Sequence, residues 1–190
     1  MKVIVEVSGH HCHISRRDLD LIYGKNYQLR KLRPISQPGQ FTTQEMVTVK
    51  AGQGVLKNVR LVGPQRDSTH VEITLSEAYQ LKIKPPIAPY SQAAGAKVGV
   101  SAEIIGPRGK IKRPAIIVAY RHLHLDPKTA KKLKLKDGQQ VSLKISGVRG
   151  LIFNNILVRV NKNYLARVHL DTDEANAAGV KTGAKAEIII

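Results

Sequence analysis

Two stretches of this chain repeat one another, and such a repeat limits the fold more than any bulk property does. Val71-Glu72-Ile73-Thr74-Leu75-Ser76-Glu77-Ala78 lines up with Val168-His169-Leu170-Asp171-Thr172-Asp173-Glu174-Ala175. The alignment runs back without a gap and sets Asn58 against Asn155. Each half also holds an earlier histidine pair followed by a capped helix: His11-Cys12-His13-Ile14 in the first, His122-Leu123-His124-Leu125 in the second. Self-similarity of this kind points to two copies of one supersecondary unit.

Most of the sequence alternates apolar and polar residues with period two, the pattern of half-buried strands. Strands are expected at 3–7, 46–50, 55–61, 70–74, 116–120, 140–145, 151–160, 166–170 and 186–190. Pro38-Gly39, Gly63-Pro64, Gly106-Pro107 and Asp137-Gly138 punctuate them. Four short helices are expected from their caps. Ser15 with Asp18 starts one that ends near Gly24, and Asp126-Pro127 starts another over 128–133. The remaining two fall at 76–81 and 173–178. A chain of short strands with a few capping helices suggests small barrels or sandwiches. The Pro-, Ala- and Gly-rich stretch 85–99 reads as a linker, and a second boundary is expected near Arg113-Pro114.

Composition excludes some classes. No run approaches the roughly 18 to 20 apolar residues of a membrane span. The start, Met1-Lys2-Val3-Ile4-Val5-Glu6-Val7, alternates like a strand and lacks a cleavable signal pattern. One cysteine rules out an intrachain disulfide and suits a reducing compartment. The net charge of +17 attracts polyanions, whether nucleic acid, anionic membrane or a phosphorylated cofactor. The basic residues are scattered, however, and aromatics make up only 4% of the chain, too few for base stacking. Charge alone does not choose among these partners.

The histidine pairs carry more chemistry. On a strand, residues i and i+2 point to one face about 6 to 7 Å apart, so both imidazoles can converge on one ion. A third donor from a neighbouring strand completes a set of three and leaves a coordination position open, the arrangement of a catalytic zinc. The repeat supplies that donor in each half: Glu72 in the first and His169 at the matching place in the second. A lone H-x-H is commonly a surface or hydrogen-bonded pair, but two at matched places with matched third candidates favour ligand roles. Zinc suits imidazole with one carboxylate; cobalt, iron and manganese stay open. Cys12, between His11 and His13, should face the opposite side as a small core residue, with His10 on its side. His70 shares the face of Glu72, as a substitute ligand or as a neighbour that orients the ligands.

These residues resemble the phosphate propanoyltransferase family, the phosphotransacylases of propanediol-utilisation microcompartments and their cytosolic relatives. The matching segments are Val7-Ser8-Gly9-His10-His11-Cys12-His13-Ile14-Ser15, Ser36-Gln37-Pro38-Gly39-Gln40-Phe41, Asn58-Val59-Arg60-Leu61-Val62-Gly63-Pro64, Arg121-His122-Leu123-His124, Arg149-Gly150-Leu151-Ile152-Phe153 and His169-Leu170-Asp171-Thr172-Asp173-Glu174-Ala175-Asn176, in the family's order. The resemblance implies a mainly β fold with short capping helices: two similar small β-barrels related by internal duplication, with the active site between them. It also implies discontinuous domains, 10–119 as the first and 120–190 plus the strand 1–9 as the second.

By the same resemblance, His11, His13 and Glu72 would hold one zinc and His122, His124 and His169 another. Arg66 matches an arginine that binds phosphate, a role its sequence context alone would not assign. Val7, Ser8, Gly9, Gln53, Arg60 and Asn176 fall on coenzyme A contact positions. The chain departs from the family's usual pattern at His10 (usually Arg), His70 (usually Gln) and Gln53 (usually Lys). The activity implied is exchange of a short acyl group between coenzyme A and phosphate, acyl-CoA plus phosphate giving acyl phosphate plus CoA.

Two other readings share some of these features. One is a basic β-barrel module that binds nucleic acid around structural zinc; the other is a dinuclear zinc hydrolase. Open three-donor sites speak against the first, because structural zinc normally has four protein ligands, and nucleic acid is accordingly disfavoured as a partner. The chain starts almost directly at its first strand, without an amphipathic extension of the kind that directs relatives into microcompartments. Free cytosol is therefore expected, and a homo-oligomer is compatible with the sequence.

Overall fold

Strands here are built by alternation, with every second side chain entering a core. In β1 (Lys2–Ser8), Val3 and Val5 are buried while Glu6 lies on the other face. The computed structural model describes residues 1–88 and 99–190. Its chain divides into two compact units, Gly9–Ala119 and Met1–Ser8 together with Tyr120–Ile190. Of the stretch expected as a linker, residues 89–98 lie outside the described residues.

The unit Gly9–Ala119 contains β2 (His11–His13), α1 (Arg16–Tyr23), β3 (Lys31–Pro34), β4 (Phe41–Ala51), β5 (Gly54–Gly63), β6 (His70–Glu72), α2 (Leu75–Leu81), β7 (Ile87–Ala88), β8 (Val100–Ile105) and β9 (Lys110–Ala119). The sheet runs β4-β5-β2-β6-β9, and β8 closes it into a six-stranded ring by pairing with both β9 and β4. β3 and β7 are appended to β4 and β9. The Arg113-Pro114 step lies inside β9, paired with β8, so no boundary occurs there.

The other unit contains β1, β10 (His122–Leu125), α3 (Pro127–Leu133), β11 (Gln140–Ile145), β12 (Leu151–Val160), β13 (Arg167–Asp171), α4 (Thr172–Ala178) and β14 (Lys185–Ile189). It is a closed barrel in the order β1-β13-β10-β12-β11-β14. Its ring repeats that of the first unit, with β1 standing where β9 stands there. Both strands lead directly into a histidine pair, yet β1 pairs with β13 and β9 with β6. No helix among the described residues is long and apolar enough to cross a membrane.

The duplication extends to irregular backbone. Asn58 and Asn155 both adopt left-handed conformations, φ 58° and 59°, which asparagine tolerates better than most residues. At each the register slips: between the Val47–Val59 and Val49–Leu56 pairs in β4 and β5, and between Val141–Ile156 and Leu143–Phe153 in β11 and β12. Such a bulge resets alternation, so Phe153 and Ile156 enter the same core although three residues apart. Matched capping boxes start α2 (Thr74 with Glu77) and α4 (Asp171 with Glu174). In the tight β4–β5 turn only glycine fits at Gly52: φ is +54° and a Cβ would stand 2.2 Å from the Leu81 carbonyl oxygen.

Aliphatic side chains fill both cores, as the scarcity of aromatics requires. Ile14, Leu61 and Ile116 lie in one, and Leu123, Leu125 and Leu143 in the other. Each such side chain contributes roughly 1.5–3 kcal/mol by leaving water. One charged network pins α1 to its barrel. Buried Asp18 accepts from Arg113 Nη2 at 2.5 Å, Arg113 Nε at 3.1 Å and Thr69 Oγ1 at 2.6 Å. Burial opposes ionisation, but Arg113, Thr69 and Ser15 outweigh it and hold the carboxyl below its ordinary pKa.

A depressed carboxyl pKa contributes stability above the unfolded value, lost as pH falls through the folded one. Asp18→Asn should therefore lower unfolding free energy by about 2–3 kcal/mol near neutrality. The gap from wild type should narrow below about pH 4, as read from urea unfolding curves at both pH values.

Candidate metal centres

Burial decides which way each histidine strand faces. Cys12 is fully buried in the core, so His11 and His13 lie on the opposite face of β2. β6 runs antiparallel beside it, pairing Glu72 with His11 and His70 with His13, while Val71 enters the core. His11 Nε2 lies 3.5 Å from Glu72 Oε2, and the candidate ligand atoms of His11, His13 and Glu72 all fall within 4.8 Å of one another. His70 is buried beside them, stacked on His13 at 4.8 Å with Nε2 3.4 Å from Glu72 Oε1.

The tautomers follow from backbone carbonyls, which only accept. His11 Nδ1 donates to Gly9 O at 3.0 Å and His13 Nδ1 to Val62 O at 3.2 Å. Each Nε2 therefore carries its lone pair toward the cluster, the pattern by which an outer partner orients a metal-binding imidazole. Electrostatics agree. Burial, followed by the neighbouring His11 and His70, pushes His13 well below the usual histidine range and keeps it neutral. Burial opposes ionisation of Glu72, yet the imidazoles of His11, His70 and His13 hold its carboxyl well below the usual range. Two imidazoles with inward Nε2 atoms beside a carboxylate form a donor set suited to a divalent cation.

The second cluster is built the same way. Leu123 and Val168 face the core, which leaves His122, His124 and His169 on the other face of β10 and β13. Their ligand atoms also fall within 4.8 Å of one another. The rings of His122 and His169 stack at 4.8 Å, and His124 meets His169 at 4.7 Å and 60°. His122 Nδ1 donates to Tyr120 O at 2.7 Å, matching His11. His124 is only 6% exposed, and both its ring nitrogens are buried without a hydrogen-bond partner among the described residues. Burial, then His122 and His169, drives its pKa far down. Leaving a buried polar group unsatisfied costs about 1–3 kcal/mol; a cation on a ring nitrogen removes that cost. The residues present fit such an ion.

Other expected positions are placed less uniformly. Arg66 follows β5 in the first unit, half-buried, with its N–H on Ile14 O at 2.9 Å, and its charge is among those lowering the His13 pKa. Arg60, on β5 directly opposite His11, donates from Nη1 to Thr43 O at 2.7 Å. Gln53 is exposed in the hairpin at the far end of that strand, roughly 20 Å away at 3.3 Å per residue. Val7 and Ser8 end β1, the Val7 N–H donating to Thr182 Oγ1, and Gly9 supplies the carbonyl that holds His11. Asn176 is exposed on α4.

His10 does not join Cys12 in the core. It lies outside β2, half exposed, and its Nδ1 bonds Glu77 of α2. Three neighbours escaped the sequence reading. Tyr164 stacks on His124 at 3.9 Å, Arg121 pairs with Glu174 at 2.7 Å, and Glu6 of β1 places Oε2 3.4 Å from His169 Nε2. Only the parallel register of β1 on β13, which sets Glu6 opposite His169, reveals the last.

Residues 4–181 match the family model for phosphate propanoyltransferase. The chain is 40% identical over 183 residues to a phosphate propanoyltransferase of Thermotoga maritima, covering 95% of this chain and 86% of the relative. Its counterpart in Clostridioides difficile is 39% identical over 186 residues, 97% and 88% of the two chains. One in Rhodopseudomonas palustris is 38% identical over 181 residues, 95% and 79%.

Cys12 is fully buried, and burial followed by nearby Asp18 raises its thiol pKa far above the usual range. That is a packing role, not a reactive or ligating one. Cys12→Ala should cost about 1–2 kcal/mol of stability and leave the metal content of purified protein at the wild-type ratio.

Proposed function

The chain belongs to the phosphate propanoyltransferase family and is by that membership an acyltransferase; from this premise we propose that it moves a short acyl group between coenzyme A and phosphate with one zinc ion in each unit. The observation that carries the metal reading is the pair of matched clusters, His11, His13 and Glu72 in one unit and His122, His124 and His169 in the other. Bound zinc supplies Lewis acidity, lowering the pKa of a thiol that enters its open position and polarising an acyl carbonyl.

The chain's own groups do the rest. His11 and His13 direct Nε2 lone pairs to the cluster, His13 enters the reaction neutral, and Glu72 enters ionised. Arg66 offers planar, permanently charged donors to the phosphate group beside His13. Val7, Ser8, Gly9, Gln53, Arg60 and Asn176 are assigned to coenzyme A, whose phosphates suit a chain of net charge +17. Transfer is direct: the sulfur–carbon bond forms as the carbon–oxygen bond to phosphate breaks, and phosphate leaves with the electron pair. No acyl-enzyme is needed, which agrees with the inert, buried Cys12. A single buried thiol also suits the cytosol assigned to the protein.

Acetyl or propionyl phosphate mixed with coenzyme A should give thioester absorbance that stops after chelation and returns with added zinc. Hydrolysis without thioester would mark a metal hydrolase instead and defeat the proposal. Arg66→Ala should raise the KM for phosphate at least about tenfold, the scale of one lost charge-assisted contact, with unfolding unchanged. Cys12→Ala should keep wild-type kcat in the same assay.

A further inference from the structure

Glu6 has no counterpart in the other unit. In the barrel containing β1, Glu6 stands opposite His169; in the other, the same place beside Glu72 holds Ile117 of β9. Val5 enters the core, so Glu6 lies on the face that carries His122, His124 and His169. Its carboxylate is mostly buried, with a side chain 18% exposed, and Oε2 lies 3.4 Å from His169 Nε2. Although the chain has 31 lysines and arginines, none pairs with Glu6 among the described residues.

That spacing is long for a hydrogen bond between imidazole and carboxylate. It equals the separation of two donors on one tetrahedral ion: bonds of about 2.0–2.2 Å put neighbouring donor atoms about 3.4 Å apart. The other unit shows the same relation between two candidate ligands, His11 Nε2 and Glu72 Oε2 at 3.5 Å. Charge points the same way. Imidazole donors bring no negative charge to a divalent cation, and the cationic Arg159 stands opposite His124 on the neighbouring strand. Glu72 supplies one negative charge in the first cluster; in the second, Glu6 is in contact with His169 and can do so.

We propose that Glu6 is a fourth protein donor to the cation held by His122, His124 and His169. The inference rests on the metal reading given under the proposed function. The two centres then differ in kind: the cluster near Arg66 keeps a position open, while the other is closed at rest by a carboxylate on a flexible stem.

The test uses metal-stripped full-length protein titrated with zinc against a chromophoric chelator, for wild type, Glu6→Gln and Glu6→Asp. A His11→Ala, His13→Ala background isolates the second centre. Glu6→Gln should weaken zinc binding there at least about tenfold and leave the first centre, measured in a His122→Ala, His124→Ala background, unchanged. The cobalt-substituted second centre should lose visible absorbance as water replaces the carboxylate. Glu6→Asp keeps the charge and should fall between the two, and it supplies the comparison if Glu6→Gln folds poorly by circular dichroism. Unchanged zinc affinity in Glu6→Gln overturns the inference, as does weaker binding with an unaltered cobalt spectrum, which would mean that Glu6 only steadies His169. Wild-type protein that binds no zinc overturns the underlying metal reading instead.

Discussion

A two-residue alternation in very short strands underlies both the fold and its chemistry. In β2, Cys12 enters the core and thereby turns His11 and His13 to the other face; in β10, Leu123 does the same for His122 and His124. Because the period is strict, a slip of one residue would bury both imidazoles and expose the core residue. The cores are thus the reference against which the donor atoms are aimed. The bulges at Asn58 and Asn155 serve the same end, restoring core alternation along strands that pair directly with the histidine strands.

Rigidity comes from the backbone. Nδ1 of His11, His13 and His122 is each held by a main-chain carbonyl, at Gly9, Val62 and Tyr120. Those carbonyls belong to strands or strand ends, so no loop rearrangement is needed to present the Nε2 lone pairs. Burial then keeps His13 and His124 neutral, because an unpaired charge there would lose its hydration. A donor set already oriented accepts a cation with little reorganisation, while His124, whose ring nitrogens lack hydrogen-bond partners among the described residues, is left worse off without one.

Duplication gave the two clusters their common plan, and substitution then separated them. Glu72 and His169 occupy the same place in their repeats, yet one brings a charge and the other does not. One strand further on, Ile117 and Glu6 reverse that difference. Each cluster therefore has a carboxylate in contact with imidazole, reached by a different route, a compensation that a positively charged chain favours.

Local physics was legible in the sequence. Ser15 and Asp126 cap the two helices expected from them, α2 and α4 start one residue before the expected 76 and 173 on caps at Thr74 and Asp171, and β11 and β12 occupy the expected ranges although a bulge interrupts their alternation. The repeat also showed which histidines belong together, since spacing along one strand and matched positions between copies are properties of the chain itself. β3, whose residues are all exposed, and β8, beside the Pro- and Gly-rich stretch, were not legible, because neither presents a clear apolar face flanked by turn signals. Strand pairing was decided only in three dimensions: β1 leaves the repeat that encodes it to pair with β13, and this sets Glu6 against His169. Register between strands distant in sequence depends on how closed barrels pack, and alternation within one strand carries no record of its neighbour.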